Sequence, residues 1–412
     1  MTAQPLDVLI VGGGPVGACV GALLARAGPA LNVGLLQPAP APNSVPDARV
    51  LAISRASERI LNAAGAWSPL QPHAWAYERM RVWHQAVAPG ADEAGDDVLQ
   101  FDAAEVGEPN LGYIIETRRI TAALMDSFSA AGGRLISGDL QDAVAGADGL
   151  VRIRSSAGEL AASLIVGADG ARSAVRSAFH IEARTSSYRQ TAIVARLLPA
   201  RPHRNTAWQR FLAGGTLALL PLADGSLSIV WSLLERDAAA LLDATVSDFE
   251  ARLLADSEAV LGTLTLAGPR LAFPLQRLTA KRYTAPRCAL VGDAAHVVHP
   301  LAGQGVNLGL LDAAALAQLC VQACASGEQL GAQRTLRAYE RWRKGENQLM
   351  EFAIDAFNQV LAQGEGPLSV LARRALVMTN RSALLKRLFI GRALGQPPDL
   401  TAWESDRAWQ RR

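Results

Sequence analysis

The sequence predicts an α/β protein: a dinucleotide-binding parallel sheet, interrupted by a domain of antiparallel sheet and followed by C-terminal helices. Three observations carry this. A strand, a glycine run, a helix and a second strand follow one another within the first 37 residues. Two short apolar runs far down the chain each lead into glycine and aspartate, and a pair of apolar runs around a turn lies between them.

Residues 7–11 form the first apolar run, residues 18–27 an Ala/Leu-rich helix ending at Gly28, and residues 32–36 the second run. Such a βαβ unit of roughly 30 residues makes parallel strands. Residues 162–168 and 288–292 repeat the pattern of an apolar run leading into glycine and aspartate, so all three distant strands are expected in one sheet. Between the last two, residues 217–222 and 227–233 flank Ala223-Asp224-Gly225-Ser226, which signals an antiparallel hairpin. Helical periodicity marks residues 313–324 and 339–363, the latter through Leu349, Met350, Ala353, Phe357 and Val360. Residues 86–97, rich in Ala, Gly and acids, read as a surface loop. The expected division is a discontinuous dinucleotide-binding domain at 1–75, 106–180 and 281–340, a substrate domain at 76–105 and 181–280, and a helical region at 341–412.

At 412 residues the chain can bury a large cofactor, and a net charge of +2 provides no field for nucleic acid. Cys19, Cys288, Cys320 and Cys324 lack the spacing of a zinc or redox pair and read as small core residues in a reducing compartment. The N-terminus reads as a first strand, not an export signal, and no run reaches the ~18 apolar residues of a membrane span. The expectation is a cytoplasmic protein, with peripheral contact at the inner membrane left open. Six histidines do not pair with carboxylates at ligand spacing, so no metal is expected.

Three motifs carry chemistry. Gly12-Gly13-Gly14-Pro15-Val16-Gly17 fits GxGxxG between a strand and a helix, where the glycines allow a tight turn, close pyrophosphate approach and helix packing. The acidic residue usual at the end of the second strand is Gln37 here, which keeps one acceptor for a ribose hydroxyl. Gly167-Ala168-Asp169-Gly170, with Arg172 and Ser173, either completes the groove or makes an ordinary strand-to-helix connection. The densest signal is Gly292-Asp293-Ala294-Ala295-His296, then His299-Pro300-Leu301-Ala302-Gly303-Gln304-Gly305-Val306-Asn307. Asp293 can bind a ribityl or ribose hydroxyl. Gly303 and Gly305 let backbone reach a flat ring, and a helix starting near Asn307 would stabilise its negative charge.

At these residues the sequence resembles the FAD-dependent aromatic hydroxylases typified by p-hydroxybenzoate hydroxylase, and within them the branch acting on ubiquinone precursors. The resemblance extends to residues 47–54, 111–118 and Phe273-Pro274-Leu275. Two phrases, LALLPLADGSLSIVWSL and HPLAGQGVNLGLLDAAAL, look most like the hydroxylases of ring carbon 5, with those of carbon 6 next. Thr117 and Gln37 depart from the asparagine and glutamate of that branch.

The resemblance implies a p-hydroxybenzoate hydroxylase-like fold. It implies FAD held by Gly12, Gly14, Pro15, Val16, Gly17, Gln37, Asp169, Gly292, Asp293, Val306 and Asn307, with Arg49 and Arg118 along the flavin and Pro300 to Gly305 against its ring. His299, Pro300, Gly303 and Gln304 become the candidate catalytic group, His299 as a structural or substrate-orienting residue. The implied co-substrates are NAD(P)H, docking transiently, O2 and a polyprenylphenol. Alternatives are another ring position (carbon 6 or 1), a small soluble phenol, or a non-catalytic flavin-binding scaffold. Residues 371–394 set Arg373, Arg374, Arg381, Lys386, Arg387 and Arg392 among leucines, phenylalanine and isoleucine. Such a segment can lie on a membrane, dock on other ubiquinone-biosynthesis enzymes or pack on its own domain. An oligomer is open.

Overall fold

The structure is a computed structural model that describes residues 4–27, 31–39, 49–84 and 99–362, the last six of them and Ala302 without their side chains. The expected surface loop at 86–97, the side chains of Phe357 and Val360, and the basic segment at 371–394 lie outside the described residues.

The strands expected to share a sheet do so. Leu6–Val11 pairs in parallel with Gly158–Gly167 on one side and Val33–Gln37 on the other, and Gly158–Gly167 pairs in parallel with Cys288–Leu290. The sheet is apolar on both faces: Leu9 and Ile10, and likewise Leu164 and Ile165, point to opposite sides and are all fully buried. Pro15–Arg26 packs against Thr117–Ala130 and Gln304–Ala325.

The expected hairpin forms between Gly215–Pro221 and Leu227–Leu234, in register Thr216 to Ser232 and Pro221 to Leu227. Its turn is set locally: Gly225 has φ +80°, and Asp224 Oδ1 accepts from the Ser226 hydroxyl at 2.5 Å. The hairpin belongs to a nine-stranded sheet with Ala183–Pro199, Leu271–Ala280, Thr206–Leu212, Arg79–His84 and Leu99–Asp102. Trp231 anchors its core, edge-on to Phe249 of the helix Val246–Asp256.

Five details differ from the sequence expectation. Trp75–Tyr77 joins a small third sheet with Val50–Ile53 and Gly112–Glu116. His296–Val297 pairs with Leu271–Ala280, so the motif that starts on the parallel sheet ends on the antiparallel one. The helix expected near Asn307 begins at Gln304, and the last helix, Gln333–Ala362, runs through the boundary drawn at residue 340. Cys324 is exposed, unlike the other three cysteines. Gln304–Ala325 is long and apolar enough to cross a membrane, but 61% of its apolar window is buried, as befits a core helix.

Candidate active site

The glycine turn after Leu6–Val11 assigns a separate task to each glycine. Gly12 has φ +111°, and a β-carbon there would overlap the Ala168 carbonyl. Gly17 lies against the Gly12 carbonyl, so it lets helix and strand touch. Gly14 is the N-cap of Pro15–Arg26, and nothing lies within 4 Å of where its β-carbon would be. No side chain caps that helix, so its first N–H groups face open space and can take an anion. The middle glycine thus borders the space a pyrophosphate needs.

Val16 faces the other way. Its methyl groups sit over Gly292 and Gly309, so its side chain joins the first helix to the Gly292 turn and to Gln304–Ala325. Only its backbone can serve a ligand. Pro15 fills the first helical position, where its missing N–H costs nothing. Gln37, at the end of its strand, lays its amide over Gly13.

Asp293 follows Gly292, whose φ is +56°. The Asp293 side chain reaches open space, yet surrounding protein pushes its carboxyl above the ordinary range, against the opposing charges of His296 and Arg49. Both facts hold together for a group on the floor of a groove. Arg49 stacks over Phe273, 5.4 Å from the ring centroid, and its backbone carbonyl accepts from the Thr117 hydroxyl at 3.0 Å. The threonine that replaces the expected asparagine therefore positions Arg49. Arg118 is exposed and pairs with Glu116 at 2.8 Å.

Two expected cofactor residues have side chains engaged elsewhere. Asp169 accepts from the Ser173 hydroxyl at 2.5 Å and the Ala174 amide at 2.6 Å, so it caps Ala174–Ala178. Asn307 accepts from the Ser57 hydroxyl at 2.7 Å and the Ser54 amide at 3.0 Å, and donates to the carbonyls of Ala52 at 2.8 Å and Gly303 at 3.0 Å. It clamps the loop to the third sheet and leaves no side-chain donor for a flavin.

The loop itself is a 3-10 turn, Leu301–Gly303, capped by Pro300. Gly303 has φ +64° and is the N-cap of Gln304–Ala325, again with no side-chain cap. Only a glycine takes this conformation cheaply. Gln304, Gly305 and Val306, all half-buried, form the first turn. His299 is fully buried, its Nε2 3.0 Å from Gln190 Oε1. Gln190 Nε2 donates to the Gly214 carbonyl at 2.8 Å, so its oxygen must face His299, and the imidazole carries its proton on Nε2. Burial lowers the His299 pKa to about 4, so the ring is neutral. Beside this loop lies an apolar wall of Val82, Leu99, Phe211, Leu301 and Ile354, with Val298 packed on it.

Sequence reasoning missed Arg176, which donates to the carbonyls of Ala171 at 2.7 Å and Ala294 at 2.9 Å and so ties two motifs together. It also missed Asp312, Arg343 and Asn347 behind the Gly292 turn. Residues that bridge motifs leave no local pattern. Among the described residues no cluster of three His, Cys, Asp or Glu side chains could hold a metal.

Comparison with known proteins agrees with this geometry. The FAD binding domain family matches residues 5–351. The chain is 34% identical to the 3-demethoxyubiquinol 3-hydroxylase of Escherichia coli over 96% of its length and 100% of the relative's. It is 32% identical to the human mitochondrial ubiquinone biosynthesis monooxygenase COQ6, covering 92% of this chain and 90% of that one. Among solved structures, p-nitrophenol 4-monooxygenase of Pseudomonas putida superposes with a TM-score of 0.74 at 16% identity, covering 95% and 98% of the two chains. At that identity the likeness concerns the fold, the p-hydroxybenzoate hydroxylase-like one. The chain therefore belongs to the FAD-binding-domain family, as an FAD-dependent aromatic-ring monooxygenase of the ubiquinone-biosynthesis branch that uses NAD(P)H as reductant.

Proposed function

We propose that the chain hydroxylates the ring of a polyprenylphenol precursor of ubiquinone at carbon 5. The observation that carries this reading is the juxtaposition of the polar loop at 299–305 with the apolar wall of Val82, Leu99, Phe211 and Ile354. The wall gives that loop an apolar flank, the surroundings that a ring with one polar edge and a greasy tail calls for. When bound, FAD supplies the activation of O2 and the oxygen transfer.

The chain's own residues bind, orient and exclude water. On this reading Gly12, Gly14 and Gly17 admit the pyrophosphate, Gln37 meets the adenosine ribose and Asp293 the central ribityl hydroxyls. Arg49 and Arg118 flank the flavin, and Pro300, Gly303, Gln304 and Gly305 shape the floor under its ring. His299, kept neutral by burial and in one tautomer by Gln190, orients that loop against the substrate sheet without a charge of its own.

The name of the Escherichia coli relative favours a second reading, 3-hydroxylation of a demethoxyubiquinol. Quinone profiling of a deletion strain separates them. Accumulation of a 2-polyprenylphenol supports carbon 5, accumulation of a demethoxyubiquinol supports the second reading, and an unchanged quinone pool sinks both. A bilayer-resident substrate would bring the enzyme to the cytoplasmic face of the inner membrane, where residues 371–394 are the proposed contact with lipid or with other enzymes of the pathway. Charge reversal at Arg373, Arg374, Lys386 and Arg387 should then weaken binding to anionic liposomes and leave FAD binding intact. Unchanged liposome binding would remove the membrane route.

A further inference from the structure

A recess of about 350 Å³ lies between the start of the helix Gln333–Ala362 and the strand turn at Thr284, Ala285 and Pro286. It is not part of the flavin groove. Cys288–Leu290 carries Gly292 and Asp293 beyond its C-terminal end, whereas Ala285 and Pro286 precede its N-terminal end, at the opposite edge of the parallel sheet. Its volume falls in the range of small-ligand sites, roughly 300 to 1,000 Å³.

Three guanidinium groups line the recess: Arg282, Arg337 and Arg341. All three are exposed, and among the described residues none makes a hydrogen bond or close ion pair. Their neighbours are different. Arg334 pairs with Glu328, and Arg343 with Asp312. Arg282 senses Glu182, but that carboxylate is held by Lys281. The one carboxylate in the lining, Glu340, accepts from the Thr284 hydroxyl at 2.6 Å and faces Lys344 at 3.9 Å.

The lining is therefore net positive. Arg337 and Arg341 stand one turn apart on the same helix face, where like charges repel and disfavour the helix. The recess also holds Gln333, the first residue of a 30-residue helix, whose N-terminal end adds partial positive charge. Leu336 and Ala285 give it an apolar floor. Guanidinium forks match the paired oxygens of a phosphate or a carboxylate, and three of them around one recess suit the higher charge of a phosphate better than that of a single carboxylate.

We propose that this recess binds a phosphate group, carried either by a small phosphorylated molecule or by the headgroup of an anionic phospholipid. The proposal does not depend on which ring position the enzyme hydroxylates. It is tested with the full-length, FAD-loaded protein. Pyrophosphate is titrated by calorimetry, and co-sedimentation is measured with phosphatidylglycerol vesicles and with phosphatidylcholine vesicles. Each assay compares the wild type with Arg337→Gln/Arg341→Gln, with Arg282→Gln, and with Arg334→Gln as a control outside the recess. The double variant should lose at least tenfold in affinity, Arg282→Gln should lose part of it, and the control should keep it, with the flavin spectrum unchanged in all. Pyrophosphate binding assigns a soluble phosphate ester, and binding to phosphatidylglycerol vesicles alone assigns a lipid headgroup. The proposal fails if the wild type binds neither, if double variant and wild type bind alike, or if Arg334→Gln loses as much as the double variant.

Discussion

Asp312 accepts a hydrogen bond of 2.5 Å from His296, with both side chains buried. The same Asp312 oxygen accepts from the Gly292 amide at 3.1 Å, and its partner oxygen accepts from Arg343 at 2.8 Å and Asn347 at 3.0 Å. One carboxylate thus fixes the turn that presents Asp293 and couples it to the last helix. Burial alone would raise the Asp312 carboxyl, but the charges and hydrogen bonds of His296 and Arg343 outweigh it and hold it at about 2.

Asp312→Asn should destabilise the fold by roughly 3 to 5 kcal/mol, because Arg343 would remain buried without its counter-charge. Urea unfolding measures this. Asp312→Leu combined with Arg343→Met should recover only part of the loss, since it removes the unmet Arg343 charge but leaves His296, the Gly292 amide and Asn347 without their acceptor. A cost below about 1 kcal/mol for Asp312→Asn would show that the network is slack.

His299 titrates in the opposite sense to His296. Burial drops the His299 pKa to about 4, so the folded state takes up its proton only below that value while the unfolded chain does so near 6.5. Its contribution is present above pH 6.5 and is lost as pH falls towards 4, up to about 3 kcal/mol for the full shift. His296 is raised: burial opposes its charge, but Asp312 and Asp293 overcome this. That contribution is present below pH 6.5 and is lost as pH rises through the raised value. His299→Leu should therefore flatten the loss of stability between pH 6.5 and 4 relative to wild type. Parallel pH profiles for the two proteins would contradict the assignment.

Replacing Gly14 and Gly17 separates cofactor binding from folding. Gly14→Val projects into open space, so the cofactor-free protein should unfold at the wild-type urea midpoint while FAD binding is abolished. Gly17→Val drives a side chain into the Gly12 carbonyl and the Ala168 β-carbon, and should lower the midpoint whether or not FAD is present. Retention of FAD by Gly14→Val would remove this turn from the cofactor site.

The parallel sheet, the hairpin and the family were legible because each rests on local patterning: apolar runs ending in glycine, a turn residue set, and contiguous motifs. What failed to show is non-local. Asp169 and Asn307 sit in motifs that point to a ligand, but their oxygens meet amides from segments whose approach no periodicity announces. Val16 lies inside GxGxxG and yet faces Gly292 and Gly309, because a helix turns each successive side chain by about 100°. Arg176, Gln190 and Asp312 meet partners distant in sequence, among them Ala294, His299 and His296, and no local pattern announces such pairings. The helix start was misplaced from Gln304 to Asn307 because Gly303, in the left-handed conformation, serves as an N-cap without any of the usual capping side chains.

Gln37 stands where the resembling branch carries glutamate. The side chain ends its strand beside Gly13, within reach of the groove that Gly14 opens, so on the proposed placement it meets the adenosine ribose. An amide offers one acceptor, whereas a carboxylate offers two and makes charge-assisted hydrogen bonds to both ribose hydroxyls. Gln37→Glu should therefore tighten FAD by about 1 to 2 kcal/mol, roughly five- to thirtyfold in Kd, read by fluorescence titration of the cofactor-free protein. The gain stays modest because the amide already holds one hydroxyl and Gln37 is only half-buried, so water competes for the second. Repulsion from the pyrophosphate works against the new charge, but the uncapped helix N-terminus beyond Gly14 faces that phosphate and offsets it. Weaker FAD binding in Gln37→Glu would mean that repulsion dominates and that Gln37 does not face the ribose.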